Sequence, residues 1–286
     1  TVYILPIPSD DPETLEKGFQ IIEDWAHNAT LTDEAIDDER GVVLEEYRLG
    51  LGPDKRMMKD YLPKLLYGSK YADRLPIGTK ENLENFDYED VRSYYRDWYR
   101  PDLMAVVAVG DLDVKTLKAK IEKHFGSIAK AKNPKKRETF ELPNHEETLV
   151  SIASDKEAPF TRVQVVYKDR FEAPKVETVV DYKEQLTKNL FSTMINNRLR
   201  ELSNSPKPPF VFGFSYYGGT YARGKNAYQS VATTSETGQM EALRALLEEN
   251  QRVKLYGFQE GEFERAKQTF LAQMEKQYND RDKQES

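Results

Sequence analysis

Seven consecutive apolar residues, 103–109 (LMAVVAV), end at Gly110-Asp111 and lead into an amphipathic stretch over 114–124. A short apolar run rich in β-branched side chains and closed by a turn reads as a buried strand. The spacing of Leu117, Ile121 and Phe125 then reads as a helix packed back on that strand. The pattern recurs: 228–233 is a second strand, followed by a helix over 238–255, so 105–125 and 229–251 read as structural repeats. Further strands are predicted at 1–7, 148–153, 161–167 and 211–217. Helices are predicted from Pro12 to about His27 with Asp11 as cap, from Thr32 to about Arg48, over 61–67, over 88–98 with Asp87 as cap, over 176–202, and from Glu260 to Glu275. Strands mixed with long helices and hairpin-like pairs predict an α+β fold rather than a doubly wound parallel sheet.

Composition narrows the function. The 286 residues are 38% hydrophobic and 32% charged, with 13 Phe and 17 Tyr, which suits a folded and polar protein rather than a disordered one. The net charge is −7, which disfavours a nucleic-acid partner. The basic run 130–137 (KAKNPKKR) reads as a solvated linker. The chain has no cysteine, so disulfides, thiolate nucleophiles and cysteine-based zinc sites are excluded. No apolar run approaches the roughly 18 residues of a membrane span. The stretch 130–143, with few large apolar side chains and two prolines, marks a boundary between a domain at 1–135 and one at 136–286. A strand without a lead-in at Thr1 and a helix without a stop signal before Ser286 suggest a piece of a longer protein.

The most telling chemistry lies in 38–48 (DERGVVLEEYR). At about 100° per residue, Ala35, Ile36, Glu39, Val42, Val43 and Glu46 fall in one sector of roughly 120°. Glu39 and Glu46 differ by only about 20° around the axis, two turns apart, while Glu45 points away. Carboxylates at the centre of an apolar sector call for a cation, a proton or a donor such as histidine, because burying them unpaired is expensive. Two readings satisfy that demand. One is a pair of buried salt bridges to Arg or Lys elsewhere, and the other is a metal or catalytic role.

The stretch Glu39-Arg-Gly-Val-Val-Leu-Glu45-Glu46 resembles the distal half of the inverted zinc motif, His-x-x-Glu-His followed further along by Glu, of the pitrilysin or insulinase-like (M16) zinc metallopeptidases. Similar stretches follow at Arg74-Leu-Pro76-Ile-Gly78, at Tyr95-Arg-Asp-Trp98-Tyr99-Arg100-Pro101, along 104–110, and at Gly257-Phe-Gln-Glu260 with Glu262-Phe-Glu-Arg265-Ala-Lys267. The resemblance covers essentially the whole chain. It implies the LuxS/MPP-like metallohydrolase fold: two similar domains, each a mainly antiparallel sheet packed by helices, with the first domain truncated.

For the site, the resemblance implies that Glu46 is the distal zinc ligand and that Glu39 orients or neutralises a histidine ligand from behind it. It implies a zinc endopeptidase that hydrolyses peptides with zinc-activated water, inside a chamber closed by a homologous second half or subunit. The departure from the family pattern is large. No His-x-x-Glu-His occurs in the chain, so no catalytic residue is assigned here and the general base is expected upstream. Of the three histidines, His27 reads as a surface residue at a helix end, and His124 and His145 as incidental. One carboxylate cannot hold zinc alone, so zinc is expected in the full-length protein and not in this chain, which is expected to be inactive. Peptide is the expected substrate. The expected compartment is the periplasm or cell envelope, with the cytoplasm as the alternative. The rival reading is a non-catalytic family member that binds peptide without metal. Arg198 and Arg200 are expected to make surface ion pairs, 218–224 a hairpin turn, and Tyr216, Tyr217 and Tyr221 to pack or sit at a sheet edge.

Overall fold

A computed structural model describes residues 1–170, 176–219, 224–281 and 283. Its helices begin where the sequence supplies caps. Asp11 accepts from the backbone N–H of Glu13 and Thr14 and opens α1 (Pro12–Glu23), which runs into a π-helical turn at Asp24–Asn28. Thr32 Oγ1 accepts from Ala35 N at 3.2 Å and opens α2 (Asp33–Leu49). Then come α3 (Pro53–Leu65), α4 (Lys80–Asn85), α5 (Tyr88–Trp98) and α6 (Val114–Phe125). A strand, β1 (Thr161–Lys168), precedes the long α7 (Val179–Ser203). The chain continues through β2 (Phe212–Gly219), β3 (Asn226–Thr234), α8 (Gln239–Tyr256) and α9 (Glu260–Asp280). Two helical segments differ from the sequence reading. Pro53 sits in the first turn of a helix that runs through Pro63, where only 61–67 was expected, and α4 was not foreseen.

The chain forms two compact units. The first comprises Thr1–Leu51 and Leu75–Glu138, the second Gly52–Arg74 and Thr139–Ser286. In the first unit α1 packs on α6, with Leu15 and Phe19 buried and the His124 ring stacked on Phe19 at 5.7 Å. No described residue of this unit lies in a strand. The strands expected at 1–7 and 103–109 form no ladder here, and Val107 and Val109 are 82% and 85% exposed. The strand expected at 148–153, in the second unit, has none either. Apolar alternation marks a segment fit for a sheet, but a strand exists only when a neighbour takes its N–H and C=O groups.

The second unit supplies such neighbours. Its antiparallel sheet has the order β1-β3-β2. Thr161 lies opposite Thr234 in one ladder and Gly219 opposite Asn226 in the other, while most of the turn expected at 218–224 falls outside the described residues. Tyr221 falls outside the described residues. Leu199, Phe210, Ala232, Ala242 and Leu246 form the buried core between the sheet and its helices. Gly213 is required there, because a Cβ would meet the Phe210 ring at 2.7 Å.

Polar groups also tie this unit together. Asn196 of α7 donates to Ser215 O at 2.8 Å and accepts from Ser215 N at 2.7 Å, satisfying that residue's backbone groups on edge strand β2. Arg198 does not make a surface ion pair as expected. It lies half-buried between α8 and α9, donating to Glu249 at 2.9 Å and to Glu262 at 2.6 and 2.7 Å, and it faces the Phe258 ring at 4.8 Å. Among the described residues, no helix is long and apolar enough to cross a membrane.

Candidate functional site

Helix α2 is held by its first two turns. Leu31, just before the cap, has φ 47°, a left-handed conformation that costs a side-chain-bearing residue energy and persists only where neighbours enforce it. Arg92 of α5 supplies that enforcement. Its Nε donates to Leu31 O at 2.9 Å and its guanidinium pairs with Asp33 in the first turn of α2. One turn on, Arg40 donates to Leu83 O at 2.8 Å and Phe86 O at 3.0 Å, capping the C-terminal end of α4, and stacks 3.8 Å from the centre of the Phe86 ring. Tyr88 donates to Asp37 at 2.6 Å. That hydrogen bond holds the Asp37 carboxyl below its ordinary range and pushes the Tyr88 hydroxyl up. Ile36 is the one buried side chain of α2.

These contacts define the packed face of α2, and it is not the face expected from sequence. Ile36, Arg40, Leu44 and Tyr47 turn inward, whereas Glu39, Val42 and Glu46 are exposed, Val42 to 60%. The packed sector is centred about 100° around the axis from the two carboxylates. The reading that placed them mid-sector on a buried face is therefore corrected. Counting Ala35 and Val42 as inward displaced the sector, whereas Val43 is half-buried and belongs to the packed face. The actual packing is organised by Arg40, which a hydropathy count treats as polar. The shared orientation of Glu39 and Glu46 survives the correction, because it follows from helix geometry. Neither carboxylate has a hydrogen-bond or ion-pair partner among the described residues. Glu45 points elsewhere and pairs with Arg48 at 2.5 Å, which lowers its carboxyl below the ordinary value.

The histidines are not placed as expected either. His124 is 4% exposed and bridges α1 and α6, with Nδ1 2.6 Å from Glu23 and Nε2 3.2 Å from Glu16. It is a built-in element of that seam rather than an incidental residue. His27 is part-buried, with Nε2 3.5 Å from Glu23. His145 lies in the second unit, with Nδ1 2.8 Å from Glu147 O. Among the described residues, no group of three or more His, Cys, Asp or Glu side chains is arranged to hold a metal. Zinc takes three protein ligands in a catalytic site. Glu46 could be at most one of them; its carboxylate is exposed and has no hydrogen-bond or ion-pair partner among the described residues. Arg40, Arg92 and Tyr88 escaped the sequence reading because their partners lie on other elements, and no helical period announces such contacts.

Comparison with known proteins places these features in context. Residues 85–270 match the family model described as Peptidase M16 inactive domain, a stretch that begins beyond α2 and so leaves out Glu39 and Glu46. A zinc protease PQQL-like protein of Arabidopsis thaliana is 31% identical over 287 residues, covering all of this chain and 27% of that protein. The crystal structure of the periplasmic protease PqqL from Escherichia coli superposes with a TM-score of 0.83 at 22% identity, over 98% of this chain and 30% of that one. The first half of that protease, solved separately, gives the same TM-score at 23% identity and covers 59% of its chain. The chain thus spans less than a third of the length of its full-length relatives.

Proposed function

This chain belongs to the M16 peptidase family, and from that premise we propose that it is part of a zinc-dependent endopeptidase to which it contributes one metal ligand, Glu46. Glu39, on the same face two turns away, serves as the carboxylate that orients a histidine ligand. The observation that carries this reading is the fixed presentation of α2. The helix is bonded through a neighbouring face to α4 and α5, while Glu39 and Glu46 project together, exposed and without a partner among the described residues.

When bound, zinc supplies Lewis-acid polarisation of a peptide carbonyl and of water. The chain's own part is to hold a carboxylate oriented toward that ion. The other two ligands and the general base belong to the rest of the parent protein. The second domain, divided from the first at 135/136, is a non-catalytic wall of a peptide-binding chamber that a homologous second half closes. The relative from Escherichia coli is a periplasmic protease, and the periplasm is the compartment proposed here.

One observation favours a metal-free parent: the matched family model is itself described as inactive. That match covers 85–270 only, and the ligand helix lies before it. Zinc content of the full-length parent, measured by elemental analysis, decides between the two readings. About one zinc per parent chain, lost on Glu46→Gln, is the expected result. The 286-residue chain alone is expected to hold no stoichiometric zinc and to cleave no peptide. A parent without His-x-x-Glu-His upstream, or with zinc unaffected by Glu46→Gln, sinks the proposal.

A further inference from the structure

The same residues that fix α2 point to a role beyond folding, which rests on the reading of Glu46 as a ligand. We propose that Arg40, Arg92 and Tyr88 are positioning residues that set the rotation and axial register of α2, and so the placement of Glu46 for metal binding. Apolar packing alone leaves that rotation weakly determined. Only Ile36 of α2 is buried, and burial of apolar surface is non-directional.

The directional contacts are polar. Three residues on α2 and α5 supply contacts of this kind that reach α4 and the backbone before α2 and engage positions 31–40. Arg40 uses Nη1, Nη2 and Nε on Leu83 O, Phe86 O and Asp37, while its plane rests on the Phe86 ring. Such a fork, pre-organised and planar, fixes orientation where a lysine would not. Arg92 locks the strained Leu31 and Asp33 at once, which pins the start of the helix along its axis.

The required precision explains why this matters. A glutamate carboxylate lies on the order of 5–6 Å from the helix axis, so a 10° rotation moves it about 1 Å. Metal–ligand distances tolerate only about 0.2 Å. A helix free to rock by a few degrees therefore presents its ligand outside bonding range for part of the time. Partners hydrogen-bonded directly to metal ligands change metal affinity about 10- to 100-fold when removed, which sets the upper range for residues that act through the helix.

The experiment uses the full-length parent and zinc itself, titrated against a chromophoric chelator, with the thermal midpoint of the metal-free protein followed in parallel. Arg40→Met and Arg92→Met are expected to weaken zinc by up to about 10- to 100-fold, well beyond what the accompanying fall in the metal-free midpoint accounts for. Arg40→Lys should restore little of the loss. Tyr88→Phe removes a single hydroxyl without changing packing and should weaken zinc by a smaller factor, so the inference stays testable if an arginine variant folds poorly. Glu46→Gln is measured alongside. Wild-type zinc affinity in the positioning variants, with affinity lost in Glu46→Gln, overturns the inference and leaves the ligand assignment standing. Wild-type affinity in Glu46→Gln overturns both. Weakening of zinc only in proportion to a fallen metal-free midpoint also overturns it, since that is general destabilisation.

Discussion

The strand–turn–helix pattern occurs twice in this chain and has two outcomes. In the second unit β3 is paired on both sides, Val231 and Ala232 are buried, and α8 lies over the sheet. In the first unit the equivalent apolar run at 103–109 leads into a well-formed α6, yet it forms no ladder and leaves Val107 and Val109 in solvent. A helix closes its hydrogen bonds within itself, so α6 forms from its own cap and stripe. A strand depends on a neighbour, and the second unit provides one nearby in sequence through the hairpin of β2 and β3. The local pattern is the same in both; only the availability of a partner differs.

The sharpest contrast is expected from ion pairs. Arg198→Met strands Glu249, 3% exposed, and Glu262 without their guanidinium, and should destabilise the second unit by about 3–5 kcal/mol. Lys135→Met breaks the Lys135–Asp97 pair of the first unit, whose lysine is exposed and whose carboxylate is half-buried, and should cost about 1 kcal/mol. Urea denaturation reads both, and equal losses would break the comparison. Core packing gives the next contrast. Leu246→Ala removes a fully buried side chain and should cost about 2–5 kcal/mol, whereas Val107→Ala should stay within about 0.5 kcal/mol. A large loss from Val107→Ala would mean that 103–109 is packed in solution.

What the sequence made legible follows the same division. Caps at Asp11, Thr32 and Asp87 located three helices, because a cap and the N–H groups it satisfies are neighbours in the chain. The family and its fold were legible from motifs scattered along the whole length. The inward face of α2 was not. Arg40 is polar by composition, and its partners Leu83 and Phe86 lie more than forty residues away. His124 was passed over for a similar reason, since Glu16 and Glu23 approach it only when α1 packs on α6. The relation of Glu39 to Glu46 needed only the helical repeat and was readable at once.

Acid gives the smallest and most selective contrast. Glu16 in the first unit is held at about 2 by hydrogen bonds from Lys120 and Lys123, and Glu262 in the second at about 2 by Arg198. Both values lie below the ordinary 4.5. Each carboxylate therefore stabilises its unit fully above about pH 4.5, and that contribution is lost as pH falls toward 2. The settings differ. Glu16 is 37% exposed at the side chain and is held by two lysines of which Lys123 is itself exposed, while Glu262 at 18% sits against a half-buried guanidinium. At about 0.5 M salt, screening acts within a few ångströms of exposed charges and much less on buried pairs. Both tryptophans, Trp25 and Trp98, lie in the first unit, so their fluorescence reports its unfolding alone. Glu16→Gln should flatten the acid slope of the tryptophan signal between pH 4.5 and 2 at low salt and have little effect at high salt. Glu262→Gln should leave that signal untouched and flatten the loss of far-ultraviolet ellipticity from the second unit at either salt concentration. A tryptophan slope unchanged by Glu16→Gln would mean that Glu16 does not set the acid sensitivity of the first unit.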